Sequence, residues 1–401
     1  MSKKSPLSFK TILFLIGIVL VAFNLRSSIT AVGPLIGDIR IATNLTNSSI
    51  GIITTLPLLA FAIFSTIAPR IGLKIGNERT VFIALFILTI GILVRSTGMV
   101  ATLFIGTALL GLGIAICNVL IPAIVKDKFP SKFGLMTGLY TTSMGTLAAL
   151  ASGLSIPLAY GLNLGWEKSL SVWAVLSGLA LLFWLPQLRT QNKAKPVPYS
   201  KRSIWSSKLA WQVTFFMGFQ SCIFYCIIAW VPDILISQGV EVTTAGWMLT
   251  LTQLAGLPAT LLVPIYAGRF RDQRGLVVGI ALLYVSGFIG LYIGGGIGLL
   301  SLSIVLIGIA QGAGISLALT LFGLRSESAY DAASLSGMAQ SAGYLLAALG
   351  PIGMGLLLDL FLTPSPAILL FIMLSVAMMS FGLFAGRNQF VFQHASEQMR
   401  A

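Results

Sequence analysis

Hydrophobic residues fill this chain in twelve successive blocks, separated by short polar or Gly/Pro-containing stretches. The blocks cover roughly 11–34, 48–69, 79–97, 101–124, 134–159 and 169–186, then 209–231, 244–266, 275–295, 299–322, 333–358 and 366–386. A helix of about 20 predominantly apolar residues crosses the hydrocarbon of a bilayer, so each block predicts one membrane-spanning helix. The longest polar stretch, Gln187 to Lys208, carries six basic residues with Pro196 and Pro198. It reads as a linker between two sets of six spans.

The two sets repeat each other. An offset of 199 residues lays Arg70 on Arg269, Gly76 on Gly275, Gly91 on Gly290, Gly113 on Gly312 and Gly138 on Gly337. One constant offset from the second to the fifth span of each half predicts a parallel repeat. The expected fold class is an all-α membrane protein: twelve transmembrane helices in two pseudo-symmetric six-helix bundles, 1–186 and 209–401, joined by the basic linker 187–208. Halves related by an axis along the membrane normal are a transporter architecture with the site near mid-membrane, so alternating access is the expected mode of action. Glycines on the fifth span (Gly138, Gly145, Gly153) and the eleventh (Gly337, Gly343, Gly350) suit helices that approach closely, whether to slide or only to pack.

Composition excludes the soluble classes. Hydrophobic residues make up 56% and charged residues 9%, against about 25% charged in soluble domains. The net charge of +14 does not mark nucleic acid, because the basic residues follow topology and form no patch. Of the 25 Lys and Arg, twenty-one fall on the side of the termini and linker, and only Arg40 and Lys168 fall in loops opposite. That bias predicts a multi-pass protein of the cell (inner or plasma) membrane with both termini cytoplasmic. Cys117, Cys222 and Cys226 lie within spans and the single His394 lies in the tail, so no metal or cofactor is expected. Nor is there a nucleophile–base set or paired intramembrane carboxylates, which excludes an intramembrane enzyme.

Arg26 and Arg95 complete the count of basic residues, and both fall inside spans. A guanidinium at mid-membrane costs roughly 2.5–3.5 kcal/mol on insertion scales and ordinarily faces a partner or a cavity. All eleven acids map to loops, tails or span ends, so none neutralises Arg26. An anionic guest, a cage of carbonyls and amides, or snorkelling to the headgroups are the three ways to accommodate it. Arg95, at the outer end of the third span, is expected to snorkel, and Trp230 to be an interface aromatic. The missing intramembrane acid also leaves proton coupling without support.

Phe23-Asn-Leu-Arg26-Ser-Ser-Ile-Thr-Ala-Val-Gly-Pro34 and Gly113-Ile-Ala-Ile-Cys-Asn118-Val-Leu-Ile-Pro122 are distinctive segments of the first half. Gln220-Ser-Cys-Ile-Phe-Tyr225 and Ser336-Gly-Met-Ala-Gln340-Ser-Ala-Gly-Tyr344 are distinctive segments of the second. With the twelve spans, they resemble the cyanate porter and 2-nitroimidazole transporter branch of the major facilitator superfamily. The resemblance implies a permease for a small substrate. One departure concerns the loop between spans two and three: where the superfamily's pattern has an acid, this chain has Pro69, followed by Arg70-Ile-Gly-Leu-Lys74. Arg70, Lys74 and Arg269 are therefore candidate gating residues without the usual charge relay.

The candidate substrate-binding set is Arg26, Asn118, Tyr140, Gln220, Tyr225, Gln311, Gln340 and Tyr344. A planar guanidinium matches carboxylate-like or linear anions, and the neutral amides and phenols leave the pocket positive. Each amide also reads as interhelical glue, Gln253 above all. The expected function is alternating-access transport of small organic or inorganic anions on Arg26; the alternative is export of nitroimidazole-like or other polar toxic compounds. The two-half design requires only one chain, so a monomer in the lipid bilayer is expected.

Overall fold

The computed structural model describes residues 9–45, 47–189, 203–361 and 363–392. Its α-helices are α1 (Phe9–Thr30), α2 (Ile36–Thr43), α3 (Asn47–Phe64), α4 (Ala68–Ile75), α5 (Asn77–Arg95), α6 (Val100–Lys128), α7 (Phe133–Ile156), α8 (Gly165–Ser171), α9 (Trp173–Trp184), α10 (Lys208–Ser237), α11 (Val242–Arg269), α12 (Arg274–Ile293), α13 (Ile297–Leu324), α14 (Ala329–Leu360) and α15 (Ser365–Ala385). Most of the expected linker, 190–202, lies outside the described residues.

Among the described residues eleven helices are long and apolar enough to cross a membrane, and the bent pair α3–α4, counted as one span, makes a twelfth. The second span bends by 55° between Phe64 and Ala68. Pro69, in the first turn of α4, has no N–H to offer Ser65 O. The residue that stands where an acid was expected is thus a helix breaker. In the sixth span α8 and α9 meet at Val172, and α2 is a short extra helix after α1 that the hydrophobic blocks did not reveal. Several helices also run past their apolar block. Lys126 and Asp127, for example, continue α6, because intrahelical hydrogen bonding needs no apolar side chain once the chain leaves hydrocarbon.

Each bundle closes on its own small-residue seams. A Cβ on Gly91 would lie 2.5 Å from Leu110 N, and one on Gly113 would lie 2.5 Å from Ala84 O, so α5 and α6 pack backbone to backbone. In the second bundle a Cβ on Gly312 would lie 2.2 Å from Gly256 O, which brings α11 and α13 equally close. In lipid, where the hydrophobic effect does not drive helices together, such close packing does.

On the side of the linker, Arg325 fastens the second bundle. It follows α13, is buried, and donates from Nε to Ala385 O (2.8 Å) and from Nη2 to Gly386 O (2.9 Å) and to Gln273 Oε1. Its own carbonyl accepts from Val391 N at 2.8 Å. Cations at helix C-termini are favourable, and here one cation serves the end of α15. Arg325→Met is expected to leave these carbonyls unsatisfied at about 1–3 kcal/mol each. The check is thermal unfolding in detergent, where the variant should melt several degrees below the native protein.

Candidate functional site

Where the bundles meet, α1 presents Arg26 to the second half. Its Cζ lies 4.5 Å from the centroid of the Phe224 ring on α10. The guanidinium acts electrostatically on the phenols of Tyr140 (α7), Tyr225 (α10) and Tyr344 (α14). The rings join one another: Phe61 and Tyr344 centroids are 5.1 Å apart, Tyr225 and Tyr344 6.4 Å, and Phe224 and Tyr225 5.1 Å at 87°. Four aromatic side chains from α7, α10 and α14 thus gather about one cation, and Phe61 on α3 packs on one of them, Tyr344. Among the described residues no carboxylate, carbonyl or amide hydrogen-bonds to it. Ring quadrupoles stabilise a guanidinium by about 0.5–2 kcal/mol and leave its N–H groups available.

Of the sequence-predicted set, the structure brings Arg26, Tyr140, Tyr225 and Tyr344 together. Asn118 on α6 is half-buried, and no side chain or backbone group among the described residues holds its amide. The three glutamines are placed differently. Gln220 is fully buried and packs on Gly314 in the α10–α13 seam, where a Cβ on Gly314 would lie 2.9 Å from its Cγ. Gln311 donates to Gln253 Oε1 at 3.0 Å and ties α13 to α11, the interhelical role anticipated for Gln253. Gln340 donates to Ser336 Oγ at 2.8 Å, one turn back on its own helix. Phe61 and Phe224 were missed: a phenylalanine in a membrane helix carries no sequence signal separating it from lipid-facing neighbours, although Phe224 lies within the Gln220–Tyr225 segment.

Two expectations about single residues are corrected. Arg95 does not snorkel: it is 1% exposed and donates from Nη1 to Ser28 O at 2.7 Å. Trp230 is not simply an interface aromatic. Its Nε1 donates to Pro351 O at 2.9 Å, and its ring covers Gly355.

Below the aromatic box, toward the linker, the halves are clasped twice. On α7–α11, a Cβ on Gly138 would lie 2.6 Å from Leu261 O, Thr141 Oγ1 donates to Thr260 O (3.0 Å), and the Thr142 and Thr260 hydroxyls pair at 2.9 Å. On α3–α14, a Cβ on Gly337 would lie 2.5 Å from Ser65 O, and Ser341 donates to Ala62 O. The 199 offset maps Gly138 to Gly337, Thr142 to Ser341 and Ala62 to Leu261, so the clasps are two copies of one device. In the α7–α11 clasp a proline frees the acceptor: Pro264 has no N–H to bond Thr260 O, which takes Thr141 Oγ1 instead. Farther along, α7 receives Thr30 Oγ1 at Ala148 O and α14 packs Gly350 on Cys222, each within its own half. The central space is therefore shut on the side of the linker. The candidate gating residues Arg70, Lys74 and Arg269 are exposed at this end, and Arg70 lines a recess with Ser203, Trp205, Asp331 and Phe392.

Comparison with known proteins agrees with this architecture. The Major Facilitator Superfamily model matches residues 14–351. The chain is 52% identical to the uncharacterized transporter YycB of Bacillus subtilis, over 96% of this chain and 95% of YycB. It is 42% identical to the 2-nitroimidazole transporter of Escherichia coli, over 97% and 99%. It is 27% identical to the cyanate transport protein CynX of Escherichia coli, over 84% and 88%. Among solved structures, the proton:xylose symporter XylE superposes with a TM-score of 0.77 at 13% identity, covering 95% of this chain and 97% of XylE. Twelve spans in two clasped six-helix bundles, a match across most of the sequence and close transporter relatives lead to one assignment: the chain belongs to the major facilitator superfamily and is a multi-pass membrane transporter, not an enzyme.

Proposed function

We propose that the protein moves small monovalent anions across the cell membrane by alternating access, with Arg26 as the residue that binds them. The observation carrying this reading is a half-buried guanidinium between the bundles, walled by aromatic rings, with no acidic partner among the described residues. Its unused forked N–H donors match a carboxylate-like or linear anion. The phenols of Tyr140, Tyr225 and Tyr344 lie close enough to feel the same charge. The bundles 1–186 and 209–401 rock about this site, with the 187–208 linker in the cytoplasm where the positive excess places it. The clasped end is then the cytoplasmic gate.

A second reading is export of nitroimidazole-like compounds. It is favoured by the 42% identity to the 2-nitroimidazole transporter and by rings able to stack on a flat heterocycle. Flux in proteoliposomes separates the two. Native protein and Arg26→Ala are compared with cyanate, nitrate, benzoate and 2-nitroimidazole as guests, in acidic buffer that keeps the nitroimidazole N–H protonated and the guest neutral. The anion reading expects electrogenic anion flux that falls at least about 100-fold in Arg26→Ala, the scale of losing a desolvated charge-assisted contact. Native-like anion flux in a folded Arg26→Ala protein would refute it; flux of the heterocycle alone would favour export.

A further inference from the structure

A second buried guanidinium stands behind the helix that carries Arg26. Arg95 ends α5 and is 1% exposed. A Cβ on Gly106 would lie 2.3 Å from Arg95 N, so α6 holds this end of α5 in place. From there Arg95 Nη1 reaches Ser28 O on α1 at 2.7 Å. That carbonyl is one of the last four of α1, which have no helical partner of their own. The amide that would ordinarily take it, Val32 N, bonds Ile29 O instead (3.3 Å). Arg95 therefore caps α1 with a full positive charge where the helix dipole is negative.

Ser28 is two residues beyond Arg26, and the same stretch is gripped from the other side. Thr30 Oγ1 donates to Ala148 O at 2.9 Å, and Ser155 Oγ donates to Ala31 O at 2.8 Å. Three side-chain hydrogen bonds thus fix the end of α1 between α5 and α7. Arg95 Nε and Nη2 are buried without a hydrogen-bond partner, and no carboxylate among the described residues acts on the group. Nothing nearby cancels its field, and charge acts over longer distances in a low-dielectric interior than in water.

We propose that Arg95 is a positioning residue for anion binding: it fixes the α1 segment bearing Arg26 and adds a second positive charge behind the site, without touching the guest. This rests on the reading of Arg26 given above. The test is concentration-dependent flux of cyanate and of neutral 2-nitroimidazole through native protein, Arg95→Gln, Arg95→Lys and Arg26→Ala in proteoliposomes. Arg95→Gln loses the charge and is too short to reach Ser28 O from the fixed end of α5. It is expected to raise the KM for cyanate about tenfold with kcat within about twofold, the signature of lost ground-state attraction. Its KM for 2-nitroimidazole should not move. Arg95→Lys, which keeps the charge, should stay within about threefold of native on both guests.

An unchanged cyanate KM in Arg95→Gln, or equal losses on both guests, would overturn the inference. If Arg95→Gln does not fold, Arg95→Lys decides: loss of cyanate affinity in a folded lysine variant overturns the proposal, and retention upholds it. Arg26→Ala separates the two levels. Anion flux that survives there removes the Arg26 reading and this one with it; flux that disappears there while Arg95→Gln behaves as native removes this one alone.

Discussion

Phe224→Asp is expected to abolish anion transport as completely as loss of Arg26 itself, while the protein still folds. The reason lies in the 4.5 Å separation of the Arg26 guanidinium from the Phe224 ring. A carboxylate on this position of α10 is within reach of Arg26 and occupies the N–H donors that the native site leaves free. A guest anion then has to displace a tethered competitor, and tethering gives effective concentrations of the order of mM for short links. Expected is a fall in anion flux of about two orders of magnitude, with neutral 2-nitroimidazole affected far less. Phe224→Leu is the control: it keeps apolar volume, loses about 0.5–2 kcal/mol of cation–ring attraction, and should cost only several-fold in affinity. Equal anion flux in native protein and Phe224→Asp would show that the guest does not meet Arg26.

The second large effect concerns the clasps. Gly138→Val and Gly337→Val each drive a Cβ to within about 2.6 Å of a backbone carbonyl across the interface, 2.6 Å for Leu261 O and 2.5 Å for Ser65 O. Neither carbonyl is the end of a flexible side chain, so helices must separate; overpacking of this kind costs typically 1–3 kcal/mol. The strain exists only while this gate is shut, so it shifts the equilibrium toward the state open at the linker side, by about 5- to 150-fold per substitution. The two sites lie on separate helix pairs, and the double variant should approach the sum of the single effects. A cysteine introduced at Ser334, beside Arg70 in the linker-side recess, reports it: thiol labelling from that side should accelerate in each single variant and most in the double. The native Cys117, Cys222 and Cys226 are buried and give a low background. Unchanged labelling would mean that the clasps are not the gate.

The glycine clasps are half legible in the sequence. The 199-residue offset paired Gly138 with Gly337 and Arg70 with Arg269, because each half repeats the same helical unit. It did not reveal that each glycine faces the other half, since small-residue packing within a bundle produces the same pattern. The departure at Pro69 was visible too, as a missing acid. The 55° bend is local to it, but the close approach of Gly337 to the Ser65 carbonyl depends on α14, a helix that begins 260 residues farther along the chain.

The sequence by itself determined the solvent, the number of spans, the internal repeat and the absence of an acid to neutralise Arg26. These follow from hydrophobic length, composition and counting, which are local or additive along the chain. Only the tertiary structure decided what Arg26 faces. Phe224 lies over it and Phe61 backs Tyr344 because distant helices meet there, and a phenyl ring reads the same in lipid, core or cavity. It also decided among identical residue types. Arg26 lies over an aromatic ring, Arg95 caps α1, and Arg325 fastens α15, and none of these partners is named by the residues beside the arginine. The glutamines divide in the same way, Gln311 bonding Gln253 across α11 and α13 while Gln340 turns back to Ser336. A polar side chain inside a membrane must find a partner, and which partner it finds is a property of the packed helices.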